Sequence, residues 1–376
     1  LSSKNIIGEK NINKNSNKIF IFLLSILIVN ILIFPKPCIN GSLNGLRLFI
    51  TALFPCLFPF LVICNLIVAF NGAYIYAKLL GPILCKPLGL PLQSSVVLIL
   101  SALCGYPMGA KYTADLYEAK IIDFNTAEKL LNIASNASPL FIVGSISLTM
   151  LKNKYFGYIL LCSNYLSCFL MGLLLKDKRD NNYNSNNYLN SHPYIPVKNF
   201  STAFSKSVED AISVTLRVGG FVIIFSMLME IIKSNTFFSI AFLNKEFTGL
   251  ISSLSLGILE ITNGCNSISL LNIPMFLKLG FISFLISFSG ICIILQVYSF
   301  LYKFNFSIKK YILRKFFQGI LSSLLTISIY FISFNTLPTF SLNHTINNLD
   351  LISYVLIISI LLLIPIIINK IKKLFI

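Results

Sequence analysis

Ten apolar segments, each near the roughly 20 residues needed to cross hydrocarbon, constrain this chain more than any motif does. They run over 19–35, 43–70, 92–109, 130–151, 155–175, 208–232, 247–273, 276–302, 316–334 and 351–368. The composition agrees, with 56% of residues apolar and only 11% charged, against roughly 25% charged in a soluble protein. Too few charges are present to cover a soluble core of this size. The expectation is an all-α polytopic membrane protein.

The net charge of +17 comes from 30 Lys and Arg against 13 Asp and Glu. The basic residues lie mostly between apolar segments, where they orient the chain against an anionic leaflet. No basic module is long enough to fold alone, so nucleic acid is not an expected partner, whereas membrane lipid is. The nine cysteines form no CxxC pair and mostly fall inside apolar segments, which reads as buried free thiols. His192 and His344 stand in polar stretches, so no metal, cofactor or Ser/His catalyst is expected. No nucleotide-binding glycine loop precedes a helix, which argues against an ATP-driven pump. The chain does not read as an enzyme.

Five interruptions stand inside the apolar segments. They are Pro55 with Pro59, Gly105-Tyr106-Pro107, the 134–139 stretch ending in Pro139, Gly219-Gly220, and Asn263-Gly264. Broken backbone at membrane depth leaves N–H and C=O groups that hydrocarbon cannot satisfy, so protein, water or a ligand must. Several such breaks in two halves suggest a binding site built from discontinuous helices. The order of features also recurs at a spacing of about 150–160 residues, with 101–105 matching 260–264 and Ser138-Pro139 matching Ser289-Gly290. Treating 92–109 and 247–273 as re-entrant hairpins moves most Lys and Arg to the inside face. That gives about eight transmembrane helices plus two hairpins, in an inverted-repeat transporter architecture.

The expected organisation is a tail and uncleaved anchor helix over 1–42, a first repeat over 43–175 and a polar Asn-rich cytoplasmic linker over 176–206. A second repeat follows over 207–305, and two further transmembrane helices over 306–376. Lys111–Lys129 reads as a helix on the membrane surface.

Arg217 and Glu260 lie deep in their segments, where an uncompensated charge costs at least ~2.5–3.5 kcal/mol. They either pair with each other across the repeat interface or serve a solute, with Arg217 on an anion and Glu260 balancing it or carrying a proton. Arg47 and Lys278, nearer segment edges, read as snorkelling anchors. Ser101, Asn136, Ser138, Asn263 and Ser289 would add hydrogen bonds around the breaks at Gly105 and Gly264, and Tyr106 a stacking face.

The stretches Cys104–Lys111, Ser135–Phe141 and Leu259–Gly264, with 45–60, resemble the YlbJ family of sporulation integral membrane proteins. The resemblance extends over about residues 40–300. It implies gate domains of the nucleoside-recognition type, shared with concentrative nucleoside transporters, and hence paired hairpins and broken helices. It also implies residence in the mother-cell-derived outer forespore membrane and a part in passing dipicolinic acid toward the spore. A small anionic solute, with a coupling ion, is the expected cargo. A nucleoside or cation carrier and a non-transporting protein of spore morphogenesis remain the alternatives.

Overall fold

A computed structural model describes residues 14–70, 72–176, 199–234 and 246–335. Every regular element among them is helical. Four helices are long and apolar enough to cross a membrane: Lys154–Leu174, Phe200–Ser234, Met275–Leu301 with an interruption, and Ile308–Phe334. The helices Leu24–Ile33 and Pro35–Thr51 meet at 103° and would form a fifth crossing if they are one span. Large apolar side chains such as Ile21, Phe22 and Leu32 are exposed, as lipid-facing surfaces require. The chain is an all-helical integral membrane protein.

Eight crossings are not found among the described residues. Several segments that reach span length in the sequence are divided into shorter apolar helices, among them Ser94–Cys104 and Leu140–Met150. Each has 11 residues, and Ser94–Cys104 covers about 16 Å, roughly half the hydrocarbon thickness. The 181–190 tract and the last segment, 351–368, lie outside the described residues. Phe200–Ser234 begins earlier than the expected end of the linker at 206.

Two glycines set the packing of the first half on the second. Gly41 and Gly45 lie one turn apart on Pro35–Leu48. A Cβ on Gly41 would come within 2.8 Å of Met227 Cα, and one on Gly45 within 2.8 Å of Ile223 Cα. Small residues at this spacing let helix backbones approach closely, which is how helices gain packing energy where lipid offers no hydrophobic drive.

The breaks fall at some expected places and not at others. Ser94–Cys104 ends at Gly105, which has φ +78°, and Met108–Glu118 starts after a cis Tyr106–Pro107 bond. Phe124–Ile133 stops before a non-helical stretch over 135–138, and a wide π-helical segment, Leu140–Met150, follows Pro139. Met275–Phe288 and Gly290–Leu301 are separated at Ser289 and Gly290, both with positive φ.

Glu246–Leu259 and Ile261–Leu270 meet at Glu260, and the chain folds back there. A Cβ on Gly264 would lie 2.1 Å from Gly257 Cα, an approach impossible in one continuous helix. The break is therefore at Glu260, while Asn263 and Gly264 are helical.

Gly219-Gly220 is not a break, because Phe200–Ser234 runs through it as one helix. Gly219 instead makes room for the Phe49 ring, 2.7 Å from where its Cβ would be. Pro55 sits in the first turn of Phe54–Ala69, after a π-helical turn over Phe49–Leu53. Pro59 is accommodated inside that helix.

Lys111–Lys129 does not lie on the surface. It contributes to two packed helices, with Tyr112, Thr113, Leu116, Ile122 and Ala127 buried. Some of its charges are paired, Lys111 with Asp115 at 2.9 Å and Glu128 with Arg314 at 3.7 Å, while Glu118 and Lys120 at the turn between the helices are exposed.

Candidate functional site

The breaks centred on Gly105, Ser138 and Glu260, with the helix that follows the break at Ser289, bring helix ends together around one cavity of about 340 Å³. Its wall includes Gly105 and Tyr106 from the first break, Ser138 and Phe141 from the second, and Glu260 and Thr262 from the third. Cys292 and Gln296 contribute from the helix that follows the fourth. Much of the remaining lining is Leu, Ile, Val and Met, which suits a small, largely apolar solute with a few oriented polar contacts.

The first two breaks are locked to each other. Tyr106 N–H donates to Asn136 O at 2.7 Å, and Gly105 lies so close to Ser138 that a Cβ would stand 2.7 Å from its nitrogen. Ser138 Oγ accepts from Phe141 N–H at 3.3 Å, turning the chain into the π-helical segment. Tyr106 O–H is fully buried without a hydrogen-bond partner among the described residues.

Glu260 is 4% exposed, and its carboxylate caps its own helix. It accepts from Thr262 N–H at 2.9 Å, from Asn263 N–H at 2.8 Å and from Asn263 Nδ2 at 2.8 Å. A carboxylate at a helix N-terminus satisfies orphan N–H groups and meets the positive end of the helix dipole. That half-helix terminus is thus already occupied by an acid, and it is not open to an anionic solute as expected.

Arg217 does not meet Glu260. Its guanidinium donates to Ser299 O at 3.3 Å and stacks over the Phe300 ring at 4.8 Å, in an exposed position. Val218 and Val222, one turn apart, face the cavity, and Arg217 points about 100° away around the helix. With no break at Gly219-Gly220, nothing turns the arginine inward. Among the described residues lining the cavity there is no Lys or Arg.

The remaining candidates divide. Ser101 is buried and donates to Leu98 O at 3.1 Å behind the wall. Ser289 is fully buried with its hydroxyl unpartnered. Asn263 lines a second, polar cavity of about 370 Å³ with Glu230, Lys233 and Asn266, and Leu48, Met150 and Thr262 are common to both cavities. Arg47 is exposed. Lys278 donates to Ser269 O at 3.1 Å, satisfying a carbonyl near a helix C-terminus. Of the cysteines, Cys162 is exposed, whereas Cys64 and Cys104 are buried with sulfurs 3.4 Å apart.

Lys315 is the residue that the sequence reading missed. It is 0% exposed and donates to Ser135 O, to Asn136 Oδ1 at 3.4 Å and to Gln318 Oε1 at 3.0 Å. Gln318 Nε2 in turn donates to Asn136 Oδ1 at 2.9 Å. Lys315, not Arg217, is the deepest cation described. The available signal was Gln318, a polar residue one turn further into an apolar segment.

These features define a polytopic membrane protein with a cavity enclosed by broken helices. The chain is similar to the sporulation integral membrane protein YlbJ of Bacillus subtilis (strain 168), at 25% identity over 324 residues, covering 80% of this chain and 78% of that protein. No protein-family model matches the chain, and no solved structure does.

Proposed function

We propose that this protein is a transporter of the sporulating cell, with the cavity of about 340 Å³ as its solute site. The observation that carries the reading is that three chain breaks, at Gly105, Ser138 and Glu260, line that cavity, with the helix after the break at Ser289 completing its wall. Unwound backbone is costly in hydrocarbon, and such breaks recur where transporters bind solute near the midplane. The correspondence of 101–105 with 260–264, and of Ser138-Pro139 with Ser289-Gly290, is the support for reading the two halves as an inverted repeat.

The similarity to a sporulation integral membrane protein supports a role in the sporulating cell; within that role the proposed location is the outer forespore membrane and the proposed cargo dipicolinic acid. The aromatic walls at Tyr106 and Phe141 suit its planar ring. Its charge needs compensation that Arg217 does not give. Lys315 stands behind the wall, linked through Asn136 to Tyr106, and Lys233 lines the adjoining polar cavity. Glu260 opposes an anion, so in this proposal dipicolinate crosses together with a coupling cation, a proton. In this reading the protein is a carrier and not an enzyme, its cargo moves with a proton, and no cofactor takes part.

One observation favours a second reading. A cavity with a carboxylate and neither Lys nor Arg in its wall also suits an uncharged solute such as a nucleoside. Uptake of radiolabelled dipicolinate and uridine into vesicles holding the purified protein separates the two. Dipicolinate uptake that accelerates with an inward proton gradient and ignores uridine supports the first, and the reverse pattern supports the second. Uptake of neither above protein-free vesicles removes the transport reading.

A further inference from the structure

The surroundings of Lys315 resemble a binding site for a small cation more than they resemble an ion pair. A fully buried ammonium normally has a carboxylate partner, because its desolvation must be offset. Lys315 has none among the described residues; Glu128, the nearby acid on another helix, pairs with Arg314 and Lys310. Its three acceptors are a carbonyl, Ser135 O, and two amide oxygens, Asn136 Oδ1 and Gln318 Oε1. They match the three N–H donors of an ammonium.

Two of the three come from the stretch of backbone that is not helical. Ser135 and Asn136 lie in the break between Phe124–Ile133 and Leu140–Met150, and Gln318 is one turn along the Ile308–Asn335 helix from Lys315. Carbonyl and amide oxygens around an unwound segment are the donor set that holds hard monovalent cations at membrane depth. Ser135 Oγ and the Tyr311 hydroxyl beside it are fully buried and have no hydrogen-bond partner among the described residues other than each other, so further oxygens are present. Cys168 Sγ, which accepts from Asn136 Nδ2 at 3.0 Å, is, with Tyr311, a further titratable group at the cluster.

We propose that Ser135 O, Asn136 Oδ1 and Gln318 Oε1 form a monovalent-cation site in the broken helix, and that the Lys315 ammonium is its tethered, resident cation. The ligand class of the bare site is an alkali cation. The tethered charge holds the Ser135–Asn136 break in shape without drawing on sodium or potassium from solution. Asn136 O is also the acceptor for Tyr106 N–H, so the same cluster anchors the cavity wall. This inference stands apart from the transport reading, since it concerns what the folded protein binds.

The test is thermal unfolding of the full chain in detergent, for the unmutated protein, Lys315→Ala and Lys315→Gln. Each is titrated with NaCl, KCl or N-methylglucamine chloride at matched ionic strength. The unmutated protein should respond alike to all three salts. Lys315→Ala should melt lower and recover by at least ~3 °C, saturably, in sodium or potassium but not in N-methylglucamine. Lys315→Gln should show the same selectivity, and adding Gln318→Leu to Lys315→Ala should abolish it. Recovery that does not distinguish the alkali cations from N-methylglucamine overturns the proposal, as does an equal response of the unmutated protein. Failure of both single variants to accumulate even at high NaCl also counts against it, because a bare site should then be filled.

Discussion

Tyr106 N–H donates to Asn136 O at 2.7 Å, so the two chain breaks of the first half hold each other in place. Gly105 makes this approach feasible, with φ +78° and its Cα pressed against Ser138. Gly105→Ala should therefore cost about 1–3 kcal/mol from backbone strain alone, with the contact at Ser138 adding to it. A fall in detergent melting temperature, without loss of helical circular dichroism, is the expected result. An unchanged melt would show that the two breaks do not depend on this glycine.

The close packing of Pro35–Leu48 on Phe200–Ser234 gives a second expectation. A side chain on Gly45 must displace Ile223 backbone and the Ser226 side chain. Gly45→Leu should destabilise by ~1–3 kcal/mol and lower accumulation in the membrane. Gly220→Leu, where nothing lies within 4 Å, should accumulate normally and serves as the control on the same long helix.

Arg217 lies outside the cavity, on Phe300 and Ser299. An exposed cation–π contact is worth about 0.5–1 kcal/mol, so Arg217→Gln should leave accumulation and solute passage nearly intact. Sharp loss of passage at normal protein levels would return the arginine to the mechanism.

Glu260 caps its helix with both carboxylate oxygens. Glu260→Ala should cost about 0.5–2 kcal/mol, the usual range for a lost cap. Glu260→Gln keeps one acceptor and should melt closer to the unmutated protein. If Glu260 also carries the proton that accompanies the solute, the Gln variant should lose the dependence of uptake on a proton gradient while staying folded. Retained dependence would move the proton elsewhere.

The fold class was legible in the spacing of apolar segments, and three breaks were legible because Gly, Pro and Ser-Gly pairs act locally. Gly105-Tyr106-Pro107, the stretch before Pro139, and Ser289-Gly290 are of that kind. Gly219-Gly220 looked the same in sequence but is a continuous helix, because a glycine can serve packing as well as chain reversal. Its role depended on Phe49, which is far away in sequence. The direction of Arg217 could not be read either, since one residue along a helix turns a side chain by about 100°. Lys315 was hidden by its setting: with Lys309, Lys310 and Arg314 it resembled an interfacial basic cluster, and only the bundle shows it fully buried.

The central claim is that the cavity between the chain breaks receives the solute, and filling it tests this most directly. Ser145 is half-buried in the wall, and its side chain supports no hydrogen bond that the fold needs. Equilibrium binding of radiolabelled dipicolinate should be measured on purified unmutated protein and on Ser145→Phe, after their melting temperatures have been shown to match, with uridine as competitor. The expected result is saturable binding to the unmutated protein and at least tenfold weaker binding to Ser145→Phe, with no displacement by uridine. Equal binding to both proteins, or none to either, would contradict the account.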